Sequence, residues 1–284
     1  MRVVDIDDPA DVRVDDFRDL NSVDRRPDLP VLPGGRRGRG LVIAEGVLVA
    51  RRMIASRFAP HAFLGVTRRL EELIGDVRPV PDDTTADGAV PFYRATAEVM
   101  AEIIGFHLNR GVLGVARRAP VLGVDEVLAN ARTVAILEGV NDHENIGSIF
   151  RNAAGLGVDA VLFGAGCADP LYRRSVRVSM GHALLVPSAR FDQWPAGLDD
   201  VHRHGFTTVS LTPDPDATVL ADALDADRVA FLVGAEGPGL AKATMRATHV
   251  QARIPMSRGT DSVNVATAAA IAFYERVRSG TMTR

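Results

Sequence analysis

The apolar segments in the second half of the chain are the feature that most constrains its fold. Val229-Ala-Phe-Leu-Val233 is apolar at every position and ends at a glycine. A sheet with one solvated face takes strands that alternate apolar and polar residues, whereas strands covered by helices on both faces are apolar throughout. We therefore predict an α/β domain with a parallel sheet.

Strand-like and helix-like segments alternate, with short turns between them, from Thr133 to Arg278. The hydrophobic pattern predicts strands over 133–138, 160–163, 205–211, 229–233 and 250–254. It predicts helices over 147–156, 175–183, 239–247 and 265–278. This order is typical of βαβ units and supports the parallel sheet.

The length of 284 residues exceeds that of the usual single domain, so we predict two domains. Residues 41–117 form a small N-terminal α/β domain, residues 118–132 a linker, and residues 133–284 the second domain. Residues 1–40 are rich in Asp, Arg, Pro and Gly, which predicts a flexible arm with limited structure. Within it, Arg36, Arg37 and Arg39 either contact phosphates or belong to a solvated tail.

Composition excludes several classes of protein. The single cysteine, Cys167, excludes an intrachain disulfide framework and fits a reducing compartment. The N-terminus lacks the apolar core of a signal peptide, and no apolar run is long enough to span a bilayer, so we expect a cytoplasmic protein without a membrane partner. A net charge of −3 gives no overall attraction to nucleic acid, so any such contact must come from local basic clusters.

Three polar and glycine-rich motifs lie near the ends of predicted strands. They are Asn145-Ile-Gly147-Ser-Ile-Phe-Arg151, Gly234-Ala-Glu-Gly-Pro-Gly239, and Ile254-Pro-Met256 with Ser262-Val-Asn264. Parallel α/β sheets bind ligands at the carboxyl ends of their strands, so this placement predicts a ligand site. For Glu236 the alternative is a structural one, in which the carboxylate caps the helix that follows.

Two common types of site do not match the sequence. A dinucleotide site requires Gly-x-Gly-x-x-Gly after the first strand, but the chain reads Glu-Gly-Val-Asn-Asp-His-Glu-Asn-Ile-Gly after Leu137. A phosphate loop of the Gly-x-x-x-x-Gly-Lys-Ser/Thr type is absent from the sequence. His143 and Glu144 have no second His or Cys at ligand spacing, so we predict no metal site.

The three motifs, in this order and at these distances, resemble the signature motifs of the SpoU/TrmH group of SPOUT methyltransferases. The resemblance covers about 133–278, and Arg177-Val-Ser-Met-Gly181 is similar to an intermediate segment of that family. It implies a parallel-sheet domain with a deep C-terminal trefoil knot, which is an exception among proteins. It also implies S-adenosyl-L-methionine as the cofactor, no metal, and a homodimer in which the last helix packs against the partner.

The first domain resembles, in fewer residues, the L30e-like domain of some members of this group. The residues that carry this resemblance are Leu41-Val-Ile-Ala-Glu-Gly46 and Asn109-Arg-Gly-Val-Leu-Gly-Val115. It implies that 41–117 holds structured RNA, which would be recognised by its shape and exposed loops. A purely stabilising role for this domain is the alternative.

The family resemblance implies roles for individual residues. The residues expected to line the cofactor are Gly234, Ile254, Met256 and Val263, the last of which is Leu in many members. The residues expected to act in catalysis and RNA positioning are Asn145, Arg151, Glu236, Ser262 and Asn264. A guanidinium holds its proton firmly in proteins, so Arg151 either stabilises the developing alkoxide or acts as a base in spite of this.

The implied function is methyl transfer from S-adenosyl-L-methionine to a ribose 2'-hydroxyl of structured RNA. Ribosomal RNA is favoured over transfer RNA because members that act on transfer RNA frequently lack the L30e-like domain. The alternatives are a transfer RNA 2'-O-methyltransferase and a non-catalytic RNA-binding or ribosome-assembly protein of the same fold. A small-molecule methyltransferase or an oxidoreductase is disfavoured, and DNA is not an expected partner.

Overall fold

The structure is a computed structural model that describes residues 1–22, 25–31, 35, 37–76, 89–257, 259–260 and 262–280. Contacts divide the chain into two compact units. The first consists of Met1–Pro120 and Leu171–Leu185, and the second of Val121–Pro170 and Val186–Arg284. Of the three arginines in the predicted arm, Arg36 lies outside the described residues.

The first unit is built on a five-stranded mixed sheet in the order β1-β4-β3-β5-β2. The strands are β1 (Arg2–Asp5), β2 (Val42–Glu45), β3 (Pro60–Gly65), β4 (Pro91–Arg94) and β5 (Val112–Ala116). The pairings β1–β4 and β3–β4 are parallel, and β5 runs antiparallel to β2 and β3. The helices among them are α1 (Val47–Ile54), α2 (Thr67–Leu73) and α3 (Ala97–Ile104).

The first twenty residues differ from the predicted arm of limited structure. Strand β1 pairs in parallel with β4, and a 3₁₀ helix follows at Val12–Phe17. Ile6, Val14, Phe17 and Leu20 are buried in one core with residues of β3 and β5. Composition averaged over forty residues hides these few apolar side chains, whose burial stabilises the segment in spite of its charged surroundings.

The second unit contains a seven-stranded sheet in the order β10-β12-β9-β11-β6-β7-β8, and all its pairings are parallel. Its elements begin with α4 (Val124–Ala129), β6 (Thr133–Glu138), α5 (His143–Gly155) and β7 (Ala160–Phe163). After α6 (Arg173–Val178) come β8 (Ser188–Arg190), α7 (Leu198–Arg203), β9 (Thr207–Leu211), β10 (Thr218–Val219), β11 (Val229–Gly234), α8 (Lys242–Arg246), β12 (Val250–Arg253) and α9 (Val265–Arg278).

Helices cover both faces of the second sheet, as the apolar strands require. Alternate residues of β6 and β11 pack with α4 and α7 in one core, which includes Val127 and Leu198. On the other face Phe231 of β11 contacts Phe273 of α9, with ring centroids 6.0 Å apart. The predicted α/β fold with a parallel sheet is confirmed, whereas the trefoil knot stays a prediction. Helix α4 also replaces part of the predicted linker.

Helix α6 belongs to the first unit although its flanking strands, β7 and β8, belong to the second. Glu45 at the end of β2 is buried, and its carboxylate lies 3.0 Å from Arg173 Nη1 and 3.7 Å from Arg177 Nη1. The backbone N–H of Arg173 donates to Asp28 Oδ2 at 3.0 Å. The expectation of a continuous second domain over 133–284 is therefore wrong for residues 171–185, which belong to the first unit. Their position depends on arginines that pair with the buried Glu45, and hydrophobic periodicity in the sequence does not reveal such pairs.

Among the described residues, no helix combines the length and apolar character that crossing a bilayer requires.

A buried arginine anchors α9 within the second unit. Arg276 has no exposed surface, and its guanidinium donates to the carbonyl oxygens of Leu224 at 2.8 Å and Asp227 at 2.7 Å. Burial lowers the pKa of Arg276 because an apolar surrounding disfavours the charged form. The carbonyl oxygens offset part of that cost, so the end of α9 is held by polar as well as apolar contacts.

We expect Arg276→Met to lower the free energy of unfolding by about 2–4 kcal/mol, because the buried carbonyl of Leu224 loses its donor. Arg278→Met is the matched control, since Arg278 lies on the same helix, is 55% exposed and pairs with Glu275. Urea unfolding followed by circular dichroism measures both variants. Equal midpoints for Arg276→Met and Arg278→Met would contradict a structural role for the buried guanidinium.

Candidate active site

The carboxyl ends of β9, β11 and β12 and the start of α9 enclose a cleft of about 430 Å³. This is the edge of a parallel sheet at which ligands bind. The residues lining it share an apolar or backbone character, with few polar side chains. They are 211–213, 233–237, 239, 254, 256, 262–265 and 268.

The four residues predicted to contact a cofactor all line this cleft. Gly234 ends β11, Ile254 and Met256 follow β12, and Val263 precedes α9. Three of the five residues predicted to be catalytic also line it, namely Glu236, Ser262 and Asn264. Residues 211–213, at the carboxyl end of β9, were not predicted, although their position at a strand end is the signal that would have found them.

The glycines of the Gly234–Gly239 loop have a structural reason of their own. A Cβ at Gly234 would lie 2.2 Å from the carbonyl carbon of Gly239 and 2.3 Å from Leu240 N, so only glycine fits there. Gly237 and Gly239 have φ values of +88° and +68°, which favour glycine. The Gly239 N–H donates to Ala235 O at 2.9 Å and closes the turn. The backbone of the loop itself therefore requires these glycines, independently of any ligand.

Three segments meet through hydrogen bonds between Asn145, Glu236 and Asn264. The Asn264 amide nitrogen donates to Glu236 Oε1 at 2.7 Å and to Asn145 Oδ1 at 2.8 Å. The Asn145 amide nitrogen donates to the same Glu236 oxygen at 3.1 Å. Both amide nitrogens thus converge on Oε1, and Oε2 accepts no hydrogen bond in the described part of the chain.

The start of a helix positions each of the two asparagines. Asn264 is the N-cap of α9, where its Oδ1 accepts from the backbone N–H groups of Ala266 and Thr267. That cap directs the Asn264 amide nitrogen toward Glu236. Asp142 caps α5 in the same way and holds Asn145 in the first turn. The positive ends of two helices therefore converge on one carboxylate, which they favour electrostatically.

Glu236 does not cap the helix after it, because another carboxylate holds the start of α8. Glu138, the last residue of β6, accepts from Ala241 N at 3.2 Å, Thr244 Oγ1 at 3.1 Å and Trp194 Nε1 at 2.9 Å. Glu138 thereby supports the segment that follows the Gly234–Gly239 loop. Sequence reasoning did not identify Glu138, although an acidic residue that ends a buried strand is a recognisable signal.

Arg151 is not among the described residues that line the cleft. Its side chain is exposed on α5 and makes no hydrogen bond or ion pair with any described residue. Asn145 and Arg151 are six positions apart, which places them about 120° apart around a helix axis. The expectation that both face one cleft stays a prediction, since neither is among the described residues that line it.

Cys167 lies near the end of β6 as a neutral thiol. Burial raises the pKa of the Cys167 thiol, because an apolar surrounding disfavours the thiolate. The sulfur donates to Leu137 O at 3.2 Å. A protonated, partly buried thiol of this kind is a poor nucleophile, so the cleft's chemistry does not depend on it.

Comparison with known proteins agrees with this geometry. The model of the SpoU rRNA Methylase family matches residues 132–274. An uncharacterized tRNA/rRNA methyltransferase of Mycobacterium tuberculosis is 63% identical over 98% of this chain and 93% of its own length. A 23S rRNA (guanosine-2'-O-)-methyltransferase of Bordetella pertussis is 33% identical over 60% of this chain and 71% of its own length.

A crystal structure of an AdoMet-bound rRNA methyltransferase from Sinorhizobium meliloti is similar in fold. Its TM-score is 0.77 at 22% identity, over 97% of this chain and 98% of that chain. At this identity the likeness concerns the fold alone.

We expect Asn264→Asp to keep the cap of α9 but to place a second carboxylate against Glu236. The loss of both amide donors and the repulsion should lower the free energy of unfolding by about 1–2 kcal/mol at neutral pH. In the folded variant, repulsion between the two carboxylates makes them harder to ionise than in the unfolded chain, so the folded form binds more protons than the unfolded form. The difference in the free energy of unfolding between the variant and the wild type should therefore shrink as the pH falls below about 5.

Urea midpoints measured between neutral and acidic pH test this expectation. The double variant Glu236→Gln/Asn264→Asp is the control, since the amide introduced at position 236 can donate to the carboxylate introduced at position 264 and restore the bond in reverse. A deficit that stays constant with pH, or that the double variant does not relieve, would contradict the arrangement.

Proposed function

Because the chain belongs to the SpoU rRNA methylase family, we propose that it transfers a methyl group from S-adenosyl-L-methionine to a ribose 2'-hydroxyl of structured RNA. The observation that carries this proposal is the convergence of Asn145 and Asn264 on Glu236 at the edge of the cleft. A fixed carboxylate beside an apolar cleft suits a reaction whose main demand is alignment of the reactants.

The cleft fits the cofactor in size and chemistry. Its volume of about 430 Å³ lies in the range of small-molecule sites. Leu211, Val233, Ile254 and Met256 provide apolar surface, and backbone groups at the strand ends provide hydrogen bonds. Glu236 forms no ion pair with a described arginine or lysine, which suits a ligand with a positively charged sulfonium. When bound, that sulfonium supplies the activated methyl group.

The free oxygen of Glu236 gives this residue a specific role. The two amides occupy Oε1 and fix the plane of the carboxylate, while Oε2, which accepts from none of the described residues, remains available to a ligand hydroxyl. We assign Glu236 Oε2 to hold the ribose 2'-hydroxyl and Asn145 and Asn264 to orient it. Ser262, also at the cleft, is assigned to contact the substrate. No metal ion is required for this chemistry.

The substrate class is supported by relatives. A Bacillus subtilis protein named 23S rRNA (guanosine(2553)-2'-O)-methyltransferase is 31% identical over 53% of this chain and 60% of its own length. Together with the protein from Bordetella pertussis, it supports ribosomal RNA over transfer RNA. We also propose that residues 41–117 are an L30e-like domain that holds this RNA, and that the protein acts in the cytoplasm.

The position of Arg151 supports a homodimer. Arg151 is exposed and is not among the described residues that line the cleft, and α9 exposes Tyr274 and Val277, at 56% and 41%, on one face. Val263 at the cleft is 38% exposed. We propose that two copies pack through α9 and that Arg151 of one copy stabilises the developing alkoxide at the cleft of the other.

We expect Glu236→Gln to lower kcat for RNA methylation about 100-fold, because the amide loses the charge that holds the hydroxyl hydrogen. The dissociation constant for S-adenosyl-L-methionine, measured by calorimetry, should change less than about threefold. Glu275→Gln is the matched control, an identical change on α9 away from the cleft. A wild-type protein that binds no cofactor and methylates neither ribosomal nor transfer RNA would sink the proposed function.

Subunit complementation tests the role of Arg151 across the dimer. Arg151→Ala and Glu236→Gln chains are coexpressed with different tags, and the mixed dimer is purified through both. One of its two sites then combines an intact Arg151 with an intact Glu236, so about half of the wild-type activity should return. A mixed dimer as inactive as its parents would show that Arg151 serves its own chain, and a monomer in light scattering would overturn the dimer itself.

A further inference from the structure

The arginine-rich segment of the first unit is held in a defined position. Residues 37–41 run back along 27–31, where Gly38 N donates to Pro30 O at 3.0 Å and Gly40 N donates to Leu29 O at 2.9 Å. A Cβ at Gly38 would lie 2.1 Å from Leu29 O, so the two segments approach as closely as glycine allows. The side chains of Arg37 and Arg39 therefore leave a fixed backbone rather than a solvated tail.

Two more arginines follow β5 and join them. Arg118 donates from Nε to Gly40 O at 3.0 Å and from Nη2 to Asp28 O at 3.2 Å. Arg117 beside it is exposed. The four arginines line an open pocket of about 750 Å³, and we call Arg37, Arg39, Arg117 and Arg118 the arginine cluster.

The charges of this pocket are unbalanced. The described residues of its lining include four arginines and one carboxylate, that of Asp16, and the excess of positive charge rests on Arg37 and Arg117, which form no ion pair with a described residue. Asp16 accepts from His61 Nε2 at 2.8 Å and from Arg39 Nη1 at 2.7 Å. The hydrogen bond from His61, with the nearby Arg39 and Arg117, lowers the pKa of Asp16. Asp16 is therefore ionised at neutral pH and is already included in the charge balance, so the pocket stays positive in a chain whose overall charge is −3.

The chemistry of the cluster points to phosphate groups. Guanidinium forks match the oxygens of phosphates, and the exposed side chains of Arg37 and Arg117 present two such forks at the pocket. An open array of arginines suits a chain of phosphates better than one buried ligand. Given the proposed function, on which this step rests, we infer that the arginine cluster binds the sugar-phosphate backbone of the substrate RNA.

This site differs in task from the cleft of the second unit, with which it shares no lining residue among those described. Contacts with phosphates contribute affinity that is independent of sequence and weakens with salt. The cluster therefore acts on the capture of RNA and not on the methyl-transfer step. Its loss should raise KM for RNA and leave kcat unchanged.

The test is the double variant Arg37→Ala/Arg117→Ala. These two side chains are exposed and form no side-chain hydrogen bond with the described residues, so the pairing of 37–41 with 27–31 and strand β5 should remain intact. We expect affinity for an unmodified ribosomal RNA transcript to fall about 10-fold at moderate salt. The slope of log affinity against log salt should decrease by about 2. Arg37→Lys/Arg117→Lys should restore the slope because it retains both charges.

Arg2→Ala/Arg68→Ala is the control, as it removes the same charge from exposed positions of the same unit outside the cluster. It should change affinity less than about twofold and leave the salt slope as it was. Thermal melting confirms that the variants are folded.

The outcomes separate this inference from the function on which it rests. If Arg37→Ala/Arg117→Ala methylates RNA with an unchanged KM and an unchanged salt slope, the inference is overturned while the proposed function stands. An equal loss of RNA affinity in Arg2→Ala/Arg68→Ala would likewise overturn the inference, since the loss would then result from the change in net charge and not from the arginine cluster. If the wild type binds RNA in a cluster-dependent way but neither binds cofactor nor methylates, the proposed function fails and the RNA site remains.

Discussion

The hydrogen bonds that fix Glu236 are the interaction on which the rest of the site depends. They join residues 145, 236 and 264, which lie on segments far apart in the sequence. Their geometry requires that β6, β11 and β12 end at one edge of a parallel sheet and that α5 and α9 begin there. The apolar strands, the two helix caps and the glycine loop can each be understood as conditions for placing one carboxylate.

The parts of the fold that follow from local composition were predictable. The parallel sheet follows from strands such as Val229–Val233. The motifs around Gly234 and Asn264 identified the family, which the match over 132–274 confirms, and residues of both motifs line the cleft. The burial of Phe17 and the position of α6 were not predictable, because each depends on contacts with distant parts of the chain. Periodicity describes a residue's neighbours in sequence and not those in space.

The position of Arg151 shows a different limit of sequence reasoning. A motif on one helix suggests that its members act together, yet six positions of helix turn Asn145 and Arg151 to different sides. The proposed homodimer would give the exposed Arg151 a partner site that a single chain does not provide. Helix α9 likewise exposes Tyr274 and Val277, and the proposed dimer would remove this apolar area from contact with water.

Charge is distributed between the two units according to two physical tasks. Among the described residues, the cleft holds one carboxylate and few other polar side chains, which suits a reaction limited by alignment. The arginine cluster concentrates positive charge in the first unit of a chain that is negative overall. A globally basic protein would bind any nucleic acid at low salt, whereas a local cluster on a negative chain attracts phosphates at one place and repels them elsewhere. Net charge near neutrality is therefore compatible with an RNA substrate, because it limits binding to the surface that carries the cluster.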